Sequence, residues 1–228
     1  MSEDPTDLDA LVRRVDPDRW ASSRFIADAD KRADVLALYA FDHEVARAPR
    51  VASNPILGEI RLTWWGEVLD EVFEGREVRR HPTAQALALA VRRRELPRAA
   101  LQAMIDTRYR ELDPAAMDET EALDWARETG GVAAELAARI LDPDAHTGPA
   151  GTPGAAWALA RRVPDQPHLR PVFDRLLTEA RRSVRSLGVA AFPAVAHATF
   201  AAERAAGHTP SGLRSRLRLT LAVARGRL

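Results

Sequence analysis

The side chains best equipped for chemistry are carboxylates set among arginines. Asp42 and Glu44 fall in one segment, Glu67 and Asp70 in the next, and Asp165 far downstream. Oxygen donors of this kind can hold a hard divalent cation if two or more converge to about 2.0 to 2.1 Å from it. Asp42 and Glu44 are two residues apart, so on a helix they point about 200° away from each other and need a second helix to share an ion. Two arrangements follow: a metal site assembled from several helices, or one acid inside a bundle satisfied by an arginine and the other on the surface. Other chemistries fall away. The 228-residue chain has no cysteine, which excludes a disulfide framework, a cysteine zinc site, a thiol nucleophile and an iron–sulfur cluster. Its six histidines are scattered and form no H-x3-H or H-E-x-x-H pair. There is no glycine-rich phosphate loop, nucleophile elbow or dinucleotide fingerprint.

The elements that must position these residues are helices. Alanine, leucine, arginine and glutamate dominate, β-branched residues are thin, and no stretch alternates convincingly, so an all-α protein is expected. Turn signals such as Asp16-Pro17, Ala48-Pro49, Asn54-Pro55, His81-Pro82 and Asp113-Pro114 divide it into eight to ten helices. After Lys31, Val35, Leu38, Tyr39, Asp42, Val45 and Ala46 recur at helical steps, which sets Asp42 and Ala46 on the side of Tyr39. Leu57, Ile60, Trp64, Val68 and Val72 repeat the pattern, and the adjacent Trp64 and Trp65 cannot both centre one apolar stripe. One domain spans residues 1–228, with an N-terminal extension over 1–16, a flexible connector over 142–153 and a basic amphipathic tail over 211–228. The tail either packs its apolar side on the core or meets anionic headgroups. Thirty-three basic residues balance 33 acidic ones, so no nucleic acid partner is expected. No apolar run is long enough to span a bilayer, and residues 1–9 are acidic and unlike a signal peptide, which points to the cytoplasm or the inner face of its membrane.

Several runs carry a family resemblance. Arg24-Phe25-Ile26-Ala27, Lys31-Arg32 and Ala37-Leu38-Tyr39-Ala40-Phe41 are followed by Arg61-Leu62-Thr63-Trp64-Trp65-Gly66-Glu67, then by Glu128-Thr129-Gly130-Gly131 and Gly154-Ala155-Ala156-Trp157. In order and spacing they resemble the squalene/phytoene synthase family over most of residues 17–165. The resemblance implies an isoprenoid-synthase-like helical bundle with a central cavity. It implies ligand contacts at Ser23, Arg24, Phe25, Tyr39, Arg61, Trp64, Trp65 and Glu67, although a serine in that place also serves as a cap.

Members of that family that condense two prenyl diphosphates carry two aspartate-rich motifs that hold Mg²⁺ against the leaving group. Here the first motif's aspartate positions hold Ala46, Arg47 and Arg50, and Pro49 inside it is expected to end the helix. At the second, Arg161 replaces an amide and Asp165 is the only acid. Such a reversal of charge implies no metal cofactor, while Arg47 and Arg161 could grip a diphosphate directly. The erosion resembles the branch of the family that includes a mitochondrial complex I assembly factor and its bacterial relatives. It implies a non-catalytic role with an isoprenoid, lipid or protein partner. One alternative is a prenyl diphosphate-using transferase with Mg²⁺ rearranged onto Asp42, Glu44, Glu67, Asp70 and Asp165, of which Asp42, Glu44 and Asp165 are the catalytic candidates. The other is an interaction scaffold with a filled core and no cavity of about 300 Å³ or more.

Overall fold

The computed structural model describes residues 7–50 and 54–228. Every regular element among them is helical. Helix α1 (Leu8–Val15) starts at Asp7, whose carboxylate accepts the Asp9 and Ala10 amides. Of the expected extension, residues 1–6 lie outside the described residues; the remainder is largely α1, which buries Val12 and packs on α3 (Ala29–Arg50). Between them lies α2 (Pro17–Ser23). Asp16 caps it through the Arg19 amide at 3.1 Å, with Pro17 pre-set for the first turn.

Helix α3 runs through the middle of the molecule against α4 (Pro55–Phe73), α5 (Pro82–Arg94) and α8 (Val132–Leu141). The expected stop at Pro49 is corrected: α3 continues to Arg50. Pro49 lies inside the helix, where it forfeits one amide bond without breaking the described part of α3. Helix α6 (Arg98–Asp106) tightens into a 3₁₀ turn, Thr107–Leu112. From a capping box between Asp118 and Glu121, α7 (Glu119–Ala126) passes through one π-helical turn, Arg127–Gly131, directly into α8.

The expected connector over 142–153 is also shorter than the composition suggests. A 3₁₀ turn, Gly148–Ala150, leads into α9 (Gly151–Ala160), and Ala150, Gly151 and Pro153 are buried. Glycine here serves packing: a Cβ on Gly130 would lie 2.5 Å from both the Gly154 carbonyl oxygen and the Ala158 Cβ, so α9 crosses the π turn backbone to backbone. Helices α10 (Arg170–Ser183), α11 (Ala201–Ala205) and α12 (Gly212–Arg225) complete the chain.

Two apolar clusters hold the bundle. One surrounds α3 with Leu38, Phe41, Val45, Leu62, Leu69, Leu87 and Phe192. The other surrounds α9 with Trp157, Leu159, Phe173 and Leu176. Each fully buried large side chain contributes about 1.5 to 3 kcal/mol over its exposed state. Among the described residues no helix is long and apolar enough to cross a membrane.

Candidate ligand-binding cleft

Between the two clusters opens a cleft of about 320 Å³. Helix α3 supplies Asp42, His43, Ala46 and Arg50; the start of α2 supplies Asp16 and Arg19; the 3₁₀ turn supplies Arg108; and the end of α9 and the turn beyond it supply Trp157, Arg161, Arg162 and Asp165. The filled-core alternative expected no space of this size.

Asp42 is the centre of the charge arrangement. Its Oδ2 accepts from Arg19 Nη1, and its Oδ1 accepts from Arg108 Nη2 at 2.8 Å. The two guanidiniums are only 2% and 4% exposed. Burial by itself would raise the carboxyl's pKa, but the Arg19 and Arg108 charges overturn that and hold it well below the usual carboxylate range. Glu111 repeats the device behind the wall. It accepts from Arg108 at 2.7 Å and from the Trp125 indole at 3.0 Å, and pairs with Arg162 at 2.5 Å. Against burial, Arg108 and Arg162 lower its pKa. Asp16 goes the other way, since burial outweighs the pull of Arg19 and raises it.

Aromatic faces hold the cations in place. Arg19 lies 4.4 Å from the Trp157 ring centre and 4.8 Å from that of Tyr39, and Arg161 lies 4.7 Å from Trp157. Arg162 and Arg108 bracket Trp125 at 4.2 and 5.4 Å. Arg50 and Arg161 are half-exposed at the mouth, with carboxylates no nearer than 3.7 and 3.9 Å. Burial lowers the pKa of both, and for Arg161 the neighbouring Arg19 and Arg50 lower it further. Among the cleft arginines these two are the most exposed and the most loosely paired, and so the most open to an incoming anion. Arg19 Nε and Arg108 Nε are buried without a hydrogen-bond partner.

The donor set does not fit Mg²⁺. Both Asp42 oxygens are taken by arginines, and no group of three or more metal-ligating side chains occurs among the described residues. The carboxylates of the rearranged metal site are dispersed. Asp42 and Asp165 line the cleft; Glu44 faces another groove beside Arg47; Glu67 pairs with Arg79 at 3.1 Å; and Asp70 pairs with Arg98. Asp42 and Glu44 therefore follow the arrangement of one buried, arginine-satisfied acid and one on the other side of the helix.

The remaining sequence candidates divide between three places. Arg161 lines the cleft, while Tyr39 does not reach it and lies behind, its ring centre 4.8 Å from the Arg19 guanidinium. Arg47, Arg61, Trp64 and Trp65 come together with Glu44 and His81 in a separate groove of about 350 Å³ between α3 and α4. Ser23, Arg24 and Phe25 stand away from both. The Ser23 hydroxyl donates to the Trp20 carbonyl at 2.8 Å, Arg24 lies over Trp20, and Phe25 packs on the core. Sequence reasoning did not single out Asp16, Arg19, Arg108, Glu111, Trp125 or Arg162 as site residues. The Asp16-Pro17 cap signature was the available signal for Arg19, which it places in a first turn; the irregular 3₁₀ turn offered none for Arg108.

Comparison with known proteins adds a family context. The model for "Squalene/phytoene synthase" matches residues 12–165. Two curated relatives, from Bos taurus and Homo sapiens, are both described as NADH dehydrogenase (ubiquinone) complex I, assembly factor 6. They are 29% and 27% identical to this chain over 132 residues. That stretch is 58% of this chain and 39% of each relative, so the chain matches well under half of their length. A crystal structure of a dehydrosqualene synthase in complex with ligand superposes with a TM-score of 0.71. It covers 96% of this chain and 94% of that one at 13% identity, a likeness of fold. The expected isoprenoid-synthase-like bundle is borne out.

Proposed function

The chain belongs to the squalene/phytoene synthase family, and from that premise we propose that it binds an anion-headed isoprenoid or lipid in the cleft without turning it over, in the service of respiratory complex I assembly. The observation that carries this is Asp42 held between Arg19 and Arg108. Prenyl transfer needs a divalent cation to neutralise a departing diphosphate. A cleft whose central carboxylate is consumed by arginines offers bidentate guanidinium contacts to the same anion, which bind it without a metal. Binding and ionisation are then separate events, and this chain performs the first. The assembly role is carried over from the description of the curated relatives, and the retained bundle supports it as the scaffold those relatives match in part.

Isothermal titration with a non-hydrolysable farnesyl diphosphate analogue tests the reading. Equal affinity in Mg²⁺ and in EDTA is expected, with a loss of about tenfold or more in Arg161→Gln, where one charge-assisted contact disappears. Binding that requires Mg²⁺ would overturn it in favour of a transferase. Absence of binding under both conditions would remove the ligand and leave a protein partner.

A further inference from the structure

Helix α12 presents to solvent a face that packing does not explain. Leu219 and Ala222 are buried against the 3₁₀ segment Ala196–Phe200, and Arg218 anchors the helix by donating to the Thr199 carbonyl at 2.6 Å and pairing with Glu203. At 100° per residue, Leu213, Leu217 and Leu221 form a stripe roughly 170° away from that buried side. They are 81%, 58% and 40% exposed. An amphipathic helix that served only the core would turn its leucines inward.

The flanks of the stripe are basic. Arg214 and Arg225 lie on one side of it and Arg216 on the other, and Arg227 follows the helix; residues 211–228 contain no acidic residue. None of Arg214, Arg216, Arg225 and Arg227 has a carboxylate partner among the described residues, whereas most arginines of the cleft do. Leucines pointing outward with arginines on both shoulders match an anionic bilayer surface, where the leucines enter the acyl boundary and the guanidiniums stay level with the phosphates. A second copy of the chain fits poorly, because a two-fold contact through this stripe would oppose eight unpaired guanidiniums.

We infer that the outer face of α12 is a docking surface for an anionic lipid bilayer, with Leu213, Leu217 and Leu221 inserted and Arg214, Arg216, Arg225 and Arg227 on the headgroups. The inference does not depend on the cleft having a ligand.

Co-sedimentation of the full chain with phosphatidylcholine vesicles, with and without 30% phosphatidylglycerol, provides the test. Partitioning onto the anionic vesicles should exceed that onto neutral ones by at least tenfold and decline as salt rises. Each Arg→Gln change at 214, 216, 225 or 227 should weaken it about fivefold. Leu217→Glu, an exposed position whose change leaves the Leu219 contact intact, should abolish it while far-ultraviolet circular dichroism and Tm stay unchanged. Equal partitioning onto both vesicle types, or no response to these variants, would overturn the inference. So would a dimer in sedimentation velocity that Leu217→Glu dissolves, which would assign the stripe to a second copy.

Discussion

Asp42→Ala would leave the almost inaccessible Arg19 guanidinium with only the Asp16 carboxylate at 3.8 Å and take from Arg108 one of its two carboxylates, Glu111 remaining, and breaking a buried charge arrangement from one side costs about 3 to 5 kcal/mol. Glu67→Ala and Asp70→Ala break pairs that water already screens, each worth about 1 kcal/mol or less. Urea unfolding at pH 7 should separate the first variant clearly from the other two; similar midpoints would mean that Asp42 is not the keystone of the cleft. His197 makes a second residue-scale prediction. It is fully buried against Trp157 and Tyr39, with neither ring nitrogen bonded, and burial pushes its pKa well below the ordinary histidine value, with Arg19 and Arg161 adding to the effect. The unfolded chain takes up a proton near pH 6.5 that the folded chain refuses. The stability from a neutral ring is therefore complete above pH 6.5 and is lost as pH falls from there, at about 1.4 kcal/mol per unit. His197→Phe keeps the ring contacts without the titration, so its unfolding free energy between pH 8 and pH 5.5 should decline less steeply than the parent's. An unchanged slope would assign the acid sensitivity to His43, whose pKa burial also lowers.

Among the elements, the crossing of α9 over the π turn is the tightest contact. A Cβ on Gly154 would fall on the Gly130 carbonyl and the Ala134 side chain, all of them in well-packed surroundings. Gly154→Ala should destabilise by about 1 to 3 kcal/mol through overpacking. Gly66→Ala, in the middle of α4 with nothing within 4 Å of the new methyl, should stabilise by about 0.5 to 1 kcal/mol. Thermal unfolding of the pair gives opposite shifts if the crossing is as close as described, and like shifts if it is not. These elements also mark what the sequence could reveal. The helices of Val35 to Ala46 and of Leu57 to Val72 were legible as helices from propensity and spacing, but the faces they bury were not: Asp34 to Asp42 are buried on every side of α3, and on α4 Leu57 and Ile60 are exposed while Leu62, Trp65, Val68 and Leu69 are buried. At Pro49 the expectation of a break at Ala48 failed, because the ring costs only one amide bond and Ala48 stays helical; whether the helix ends there lies outside the described residues. Arg19 and Arg108 escaped because they meet Asp42 from 23 and 66 residues away, a distance over which periodicity carries no information. Arg161, whose position the family pattern marks, lines the cleft. Arg47, marked by the same pattern, faces the neighbouring groove.

For the whole molecule, the cleft matters because α3 walls it with Asp42 and Ala46 on one side and the second apolar cluster walls it with Trp125, Trp157 and Ala158 on the other. Anything bound there bridges α3 to α9 and stabilises the chain as a unit. Inorganic pyrophosphate at about one hundred times its Kd should add about 2.7 kcal/mol, a Tm rise of roughly 5 to 10 °C for a chain of this size. The rise should disappear in an Arg50→Gln, Arg161→Gln double variant; an equal rise there would place the anion elsewhere. The Asp42 arrangement has one more consequence for such binding. Its carboxylate is an anion covalently tethered beside Arg19 and Arg108, present at a high effective concentration that no dissolved phosphate can match. On the proposed reading Asp42 is a built-in competitor for the deepest anion position, and a visiting phosphate would stop at the level of Arg50 and Arg161. Asp42→Ala would vacate that position, so the variant least stable alone should be the one that pyrophosphate rescues most.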